Sequence, residues 1–379
     1  MDRVSQGLSS RASSAEAASS LYDRPPACRV ERSSTSEGRN PRNKEDRRAS
    51  LDSTGREAYR TKITRREAIA VAVAGLAACG TLPRPVSPSR VSIVKAPAYD
   101  QSVYEVMRRL VAEHAGNVRG RNVVLKPNLV EFEPASSINT NPILVHAAYE
   151  AFLAQGAASV RIAEGPGHRR NTLDLADAAG YFQTIPGFED RFVDLNLDEV
   201  TRVNPAHQFS RIKKLYLPNT ALGADLLVSI AKMKTHHWVG ATLSMKNLFG
   251  VVPSGIYGWP KNVLHWAGIN ESIADLHFAF PHQMAIVDGI VGMEGNGPIQ
   301  GVPKQAGVLV AGCDPRAVDA TCCRIMKIDP LGVEYLRLAA GQEAALAEGN
   351  IVQAGERIAD VATPFALIPE FRSLRLGQA

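Results

Sequence analysis

The sequence predicts an α/β fold, a mostly parallel sheet with helices on both faces, preceded by a disordered presequence. From residue 91 onward, short apolar runs alternate with helical patterns, which favours successive strand–helix–strand units. Residues 1–60 are rich in Ser, Arg, Glu and Ala and have little apolar periodicity, so burial there would not offset the loss of conformational entropy. The remaining stretch of about 300 residues suits one large domain or two small ones.

The predicted elements follow one another in a regular order. Strands are predicted at 91–95, 123–125, 160–163, 226–230, 284–287 and 308–311, with two shorter ones within 191–220 and a last one near 358–361. Helices are predicted at 102–114, 142–155, 172–179, 269–280 and 316–326, with one more after residue 331. Asn141 and Asn171 are placed to cap two of these helices, and Pro142 suits a first helical turn.

The basic excess of the chain lies in its first part. The net charge is +5, and residues 1–78 hold 15 basic and 10 acidic residues, whereas residues 79–379 hold 28 of each. A domain that binds nucleic acid should carry a basic field of its own. We therefore expect no nucleic-acid partner.

Residues 64–79 have the pattern of an export signal with a lipid attachment site. Arg65 and Arg66 precede an Ala/Val-rich run that is too short to span a bilayer permanently. The arginine pair resembles a twin-arginine signal, and Leu76-Ala77-Ala78-Cys79 resembles a lipoprotein box with Cys79 as the lipidated residue. We expect an extracytoplasmic protein, exported folded and tethered to the membrane. The alternative is that residues 64–79 form an ordinary amphipathic helix.

This reading divides the chain into four parts. Residues 1–63 are a disordered or misassigned extension, 64–79 the signal, 80–90 a Pro/Ser tether and 91–379 the α/β domain. The cysteines are Cys28, Cys79, Cys313, Cys322 and Cys323. None has the spacing of iron–sulfur or zinc ligands, so this chain has no iron–sulfur ligand set of its own.

Ionisable and amide side chains follow the ends of the predicted strands. They are Lys126, Asn128, Glu164, His168, the run 232–237, Asp288 and Asp314. Lys246 and Asn247 come shortly after the run 232–237. The carboxyl ends of parallel strands meet at one edge of a sheet, where ligands bind. The sequence therefore predicts a basic site for a small anionic ligand, held directly or through a metal ion.

Roles within this site follow from residue type. The predicted ligand-binding residues are Lys126, Asn128, Lys232, Lys234, Lys246 and Asn247; the predicted catalytic residues are His236, His265 and Asp319; and the predicted metal ligands are Asp288 and His236. Lys232, Lys234 and His236 alternate, so in an extended segment they face one way. The alternative is a solvated edge of snorkelling lysines. The glycine-rich loop at 295–301 suits either a ligand or a tight turn.

These motifs together resemble a known family. They are Lys126-Pro127-Asn128, Lys232-Met233-Lys234-Thr235-His236, Lys246-Asn247-Leu248-Phe249-Gly250, His265, Asp288-Gly289, Gly297-Pro298 with Gly301, and Asp314-Pro315 with Asp319. They resemble the domain of unknown function family number 362, many members of which are associated with ferredoxin-type iron–sulfur segments. If that association holds here, the iron–sulfur redox partner is a separate protein, since this chain lacks the cysteines. Two functions stay open: a metal- or cofactor-dependent enzyme, and a non-catalytic lipoprotein that binds a solute or a redox partner.

Overall fold

The computed structural model describes residues 87–341 and 343–377. The strands of this part are β1 Ser89–Lys95, β2 Asn122–Pro127, β3 Ser159–Glu164, β4 Phe192–Asp194, β5 Val200–Val203, β6 Leu215–Pro218, β7 Leu226–His236, β8 Gly240–Thr242, β9 Gln283–Glu294, β10 Val302–Gly312 and β11 Ile351–Gly355. The extension, the export signal with Cys79 and most of the tether lie outside the described residues. Those assignments stay predictions.

Thirteen α-helices lie between and after these strands in the same part of the chain. They are Ser102–His114, Pro142–Ala154, Thr172–Ala178, Tyr181–Thr184, Phe188–Arg191, Asn219–Leu222, Ser244–Asn247, Ser254–Tyr257, Asn262–Trp266, Ile269–Ala279, Pro315–Ile325, Glu334–Ala340 and Ile358–Val361. Short 3-10 turns occur at Leu248–Gly250, Glu343–Leu346, Glu348–Asn350 and Pro369–Leu374. Across residues 87–341 and 343–377, no helix has the length and apolar character that crossing a membrane requires.

The main sheet is mostly parallel, which confirms the predicted fold class. Its strand order is β11-β1-β10-β9-β7-β2-β3-β4, and β8 pairs with β7 outside this path. Neighbours from β9 to β4 run parallel, while β10 runs antiparallel to β1 and β9, and β8 to β7. Strands β5 and β6 form a separate antiparallel pair.

Two hydrophobic cores lie on the two faces of this sheet. In β2, Val123 and Leu125 belong to one core and Val124 to the other, because successive side chains of a strand point to opposite faces. Helices 102–114 and 142–154 contribute to the first core, and helices 269–279, 315–325 and 334–340 to the second. Helices therefore cover both faces, as the sequence predicted.

The predicted helix caps are present. Asn141 Oδ1 accepts a hydrogen bond from the Ile143 N–H at 2.9 Å, and Asn171 Oδ1 accepts from the Leu173 N–H at 2.9 Å. Each cap satisfies a backbone donor that the helix itself leaves without a partner.

Several predicted strands were wrong in length, and one was wrong in type. Strand β7 continues six residues beyond the predicted end at 230, because β9 and β8 extend its ladder as far as His236. Residues 358–361 form a short helix, and the terminal strand is β11, which pairs in parallel with β1. Short apolar runs do not by themselves distinguish a strand from a helix.

Candidate functional site

A buried ion pair joins the ends of β2 and β3. Lys126 Nζ donates to Glu164 Oε2 at 2.5 Å, to the Pro127 carbonyl at 2.9 Å and to Asn247 Oδ1 at 3.1 Å. The Asn247 amide donates back to the Lys126 carbonyl at 3.1 Å and to Ser229 Oγ at 3.0 Å. Burial raises the pKa of Glu164 to about 7, although the charge of Lys126 opposes that shift. The polar groups of Lys126 and Asn247 thus bind the protein itself.

A second buried pair lies between β7 and β9. Lys232 stands opposite Asp288 in the register of these strands, and its Nζ donates to Asp288 Oδ2 at 2.6 Å. The Tyr99 hydroxyl donates to Asp288 Oδ1 at 2.8 Å, and the Asn141 N–H donates to Asp288 Oδ2 at 3.2 Å. Asp288 is therefore fully engaged, and it balances the charge of Lys232.

The geometry does not support Asp288 and His236 as joint metal ligands. Asp288 stands opposite Lys232, and His236 comes four residues after Lys232 along β7. At ~3.3 Å per residue, the backbone of His236 is therefore roughly 13 Å from that of Lys232. Metal–ligand bonds are about 2 Å long. His236 Nδ1 also accepts the Trp238 N–H at 2.9 Å. In the described part of the chain, no group of three or more His, Cys, Asp or Glu side chains is arranged for a metal ion.

Lys234 is a buried amine that pairs with no carboxylate in the described part of the chain. Its Nζ donates to the carbonyls of Ile138 at 3.0 Å and Pro298 at 3.4 Å, and its side chain is fully buried. Burial lowers the pKa of Lys234 well below its ordinary value, and the charges of Lys232 and Lys246 lower it further. Desolvation of this kind disfavours the charged form of an amine.

Lys246 is the second amine of this kind. Its Nζ lies 3.7 Å from the centre of the Phe249 ring, over a face that carries negative partial charge. Burial lowers the pKa of Lys246 to about 7, with a smaller contribution from the charge of Lys126. Within residues 87–341 and 343–377, no carboxylate pairs with Lys246.

Three buried polar atoms of residues in this site lack a hydrogen-bond partner within the described protein. They are Asn128 Oδ1, Thr242 Oγ1 and His265 Nδ1, all buried. Thr242 stands opposite Lys234 in the β7–β8 register, and cross-strand neighbours share a face. Buried polar atoms are normally paired, so these three favour a site that a ligand completes.

The two predicted catalytic histidines lie beside the amines. Burial lowers the pKa of His236 well below its ordinary value, followed by the effect of the charge of Lys246. Burial likewise lowers the pKa of His265 to about 3, and Lys246 again contributes. The rings of His265 and Phe249 are 5.6 Å apart. Both imidazoles are therefore neutral at pH 7.

Asp319 lies behind the site and not within it. Its carboxylate accepts from the Ser244 N–H at 2.8 Å, from Ser244 Oγ at 2.5 Å and from the Met245 N–H at 3.0 Å. It thereby fixes the first turn of helix Ser244–Asn247, which carries Lys246. The contacts of Asp319 favour a positioning role over the catalytic role that the sequence predicted.

Residues that the sequence analysis left unassigned complete the surroundings. Lys261 is buried, and its Nζ donates to Asn196 Oδ1 at 3.2 Å and to the Val252 carbonyl. Burial lowers the pKa of Lys261 to about 7, although the charge of Glu164 opposes that shift. Lys261 follows no strand, so the pattern that located the other lysines could not locate it. Glu164 did follow a predicted strand, but the sequence analysis did not predict its ion pair with Lys126.

The glycine-rich loop packs against the chain itself. A Cβ on Gly297 would lie 2.1 Å from the Thr235 carbonyl oxygen, and one on Gly301 would lie 2.4 Å from Met293 Cγ. The Gly297 carbonyl also accepts the His237 N–H at 3.0 Å. These contacts favour the tight-turn alternative.

Aromatic side chains and a cavity border the site. Trp238 is 54% exposed, and its ring lies 4.9 Å from the His265 ring, edge to face. A cavity of about 310 Å³ is lined by Tyr99, by Lys232 and by the loop at 131–142. That lining includes Ile138, whose carbonyl binds Lys234.

The fold and the site define an α/β protein with a buried basic cluster at the carboxyl end of its central strands. The chain belongs to the family described as "Domain of unknown function (DUF362)", which matches residues 123–324. This family is the one that the motifs predicted.

Other comparisons give more distant similarities. The chain is 27% identical over 254 residues to a thylakoid-associated protein of Synechocystis sp., covering 63% of this chain and 75% of that protein. The lactate racemase apoprotein of Thermoanaerobacterium thermosaccharolyticum matches with a TM-score of 0.39 and 16% identity, over 65% of this chain and 59% of that one. A Thermotoga maritima protein matches with a TM-score of 0.34 and 14% identity, over 65% and 60%. This chain thus spans less than two thirds of either solved structure.

Proposed function

We propose that this protein binds a small anionic ligand, whose charge is met by Lys234 and Lys246. The observation that carries the proposal is that these two desolvated amines lie near each other and pair with no carboxylate of the described residues. An uncompensated buried charge is strongly unfavourable, and a counter-charge relieves it. Lys126 and Lys232 already have acidic partners, so an anion has less to gain from them.

We favour an enzyme over a passive binder. An amine with a pKa of about 7, such as Lys246, exchanges protons readily at neutral pH, which general acid–base chemistry requires. Its neighbour His265 is neutral and has an unpaired Nδ1. The alternative is a non-catalytic protein that binds a solute or a redox partner with the same cluster. In that case the ligand would be released unchanged.

We also propose that the protein is exported in folded form and anchored to a membrane through Cys79. The twin-arginine-like and lipobox-like patterns at 64–79 support this proposal, and the Synechocystis relative is named for its association with thylakoids. A redox function would require a separate iron–sulfur partner, because this chain has no cysteine set for a cluster.

Thermal unfolding with oxalate tests the anion site. Oxalate is a small dianion that needs no chemical step to bind, and a ligand that binds only the native state raises the midpoint by mass action. We expect oxalate to raise the midpoint of the full chain. In Lys234→Met and Lys246→Met, an at least tenfold higher oxalate concentration should be needed for the same rise in the midpoint, because each substitution removes one charge.

The matched control is the exposed lysine Lys213, changed to methionine in the same way. Its oxalate dependence should equal that of the unchanged protein. An unchanged response in Lys234→Met and Lys246→Met, or no response in the unchanged protein, would show that the proposed anion site is wrong.

A further inference from the structure

Lys246 differs from every other lysine of the site in the contacts of its amine. Lys126 and Lys232 are held in ion pairs. Lys234 and Lys261 donate hydrogen bonds to oxygen acceptors. Within the described residues, Lys246 Nζ has neither a carboxylate nor a hydrogen-bond acceptor and rests on a phenyl ring.

An amine in this position has a lone pair free for chemistry. A hydrogen-bonded ammonium ion must first lose its partners and a proton before it can attack a carbon atom. The ring of Phe249 holds Nζ in place without accepting a conventional hydrogen bond. Lys246 as a residue is half-buried, although its amine is desolvated, whereas Lys234 is fully buried. A ligand can therefore reach the Lys246 side chain more easily.

We propose that Lys246 forms an imine with the carbonyl group of a small oxo acid, while Lys234 binds the carboxylate of that acid. The inference rests on the proposed anion site and adds a reaction class to it. An oxo acid matches the two amines because it carries one electrophilic carbon and one anionic group. The side chain of His265 lies beside the same phenyl ring, and its unpaired Nδ1 can accept a hydrogen bond from the amine.

The reaction is balanced without an oxidant or reductant. Neutral Lys246 Nζ attacks the carbonyl carbon, a C–N bond forms, and the C=O π pair moves to the oxygen; one proton then passes from the nitrogen to this oxygen, which gives a neutral carbinolamine. His265 Nδ1 accepts a hydrogen bond from the remaining N–H and orients the nitrogen, while a proton from solvent is added to the hydroxyl group. That group leaves as water when the nitrogen lone pair forms the C=N bond, and the nitrogen then returns its proton to solvent. The sum is amine plus ketone giving imine plus water.

Reductive trapping with pyruvate tests this step. The full chain is incubated with pyruvate and sodium cyanoborohydride, which converts an imine into a stable secondary amine, and the modified lysine is located by peptide mass spectrometry. We expect about one adduct per chain on Lys246, formed at least tenfold faster than on Lys213. Excess oxalate should suppress the adduct on Lys246 but not the slow one on Lys213.

The variants separate chemistry from folding. Lys246→Arg keeps a positive charge but cannot form the imine, so the fast adduct should disappear while oxalate still raises the unfolding midpoint. Lys213→Arg should leave the fast adduct unchanged.

Two results would overturn the inference. One is a Lys246 that reacts no faster than Lys213. The other is a fast adduct that persists in Lys246→Arg. If oxalate stabilises the protein through Lys234 and no fast adduct forms, the imine step alone fails. If oxalate does not stabilise the protein at all, the anion site itself fails.

Discussion

The Lys246 side chain illustrates how burial governs the chemistry of this site. In water its amine would be charged at neutral pH, but desolvation beside Phe249 lowers the pKa of Lys246 to about 7. Removing a charge from water outweighs the attraction of one aromatic ring, which is worth about 0.5–2 kcal/mol. The amine is consequently about half protonated at pH 7, and an anion would favour the charged form.

This balance predicts a pH dependence of stability. The folded pKa of about 7 lies below the ordinary value of 10.5, so between these pH values the unfolded chain binds more protons at Lys246. The free energy of unfolding should therefore rise with pH across this window. In Lys246→Met the rise should be smaller but not absent, because the pKa of Lys261 is lowered in the same direction.

Urea unfolding at about pH 7 and about pH 10, without ligand, measures this effect. Lys213→Met serves as the control and should retain the full rise. Equal rises in the unchanged protein and in Lys246→Met would contradict the assigned state of this amine.

At the residue scale, the sequence located lysines better than it located their partners. Strand ends identified Lys126, Lys232 and Lys234, because the carboxyl ends of parallel strands meet. Tyr99, which bonds to Asp288, comes from a segment 189 residues earlier. The catalytic role predicted for Asp319 rests on residue type alone. Its contact with helix Ser244–Asn247 is also distant in sequence, so the sequence analysis did not reveal it. Periodicity carries no information on such contacts.

At the scale of elements, the turn at 248–250 holds the site together. The Gly250 carbonyl accepts the Gly165 N–H at 2.8 Å, so this turn packs directly on the end of β3. A Cβ on Gly250 would lie 1.9 Å from Glu164 Oε1 and 2.6 Å from Lys126 Nζ. The motif that contains Lys246 and Asn247 therefore ends in a glycine for a steric reason.

Gly250→Ala should separate the buried ion pair. We expect it to lower the free energy of unfolding by about 1–3 kcal/mol, because overpacking forces side chains and backbone to move. The control is Gly255→Ala, where an added Cβ meets nothing within 4 Å; its effect should stay within about 1 kcal/mol. Urea unfolding of both variants checks this, and equal effects would contradict the close packing at Gly250.

The elements themselves were predictable in type and less so in length. Apolar runs marked β7 and β9 correctly, but the pattern ended at the first lysine or aspartate. Both strands continue because each provides hydrogen-bond partners for the other, and Lys232 and Asp288 neutralise each other inside the sheet. The sequence pattern of one strand gives no information about the charged side chains of the strand beside it.

At the scale of the molecule, charge and fold separate the chain into two parts. The chain from residue 79 onward is electrically neutral, and the sheet within it could be predicted because alternating strands and helices leave few arrangements. The presequence carries the basic excess and the signal patterns. Its proposed function is transport and attachment, which depends on sequence motifs and not on packing.

The proposed anchor makes a direct prediction about the full-length protein in a bacterial host. Palmitate labelling and detergent-phase partitioning should both be lost in Cys79→Ser, because that cysteine is the proposed acylation site. Cys313→Ser is the control, since Cys313 lies in the folded part, and it should leave both signals unchanged. Membrane attachment that persists in Cys79→Ser would contradict lipidation at this residue.

The central claim is that an anion binds to amines that the fold keeps partly unprotonated. Titration calorimetry of the full chain with oxalate at about pH 8, in buffers of different ionisation enthalpy, measures the protons exchanged on binding. We predict proton uptake, because an anion raises the pKa of Lys246 and Lys234, and we predict less uptake in Lys246→Met. Proton release, no exchange, or an uptake unaffected by that substitution would contradict the account.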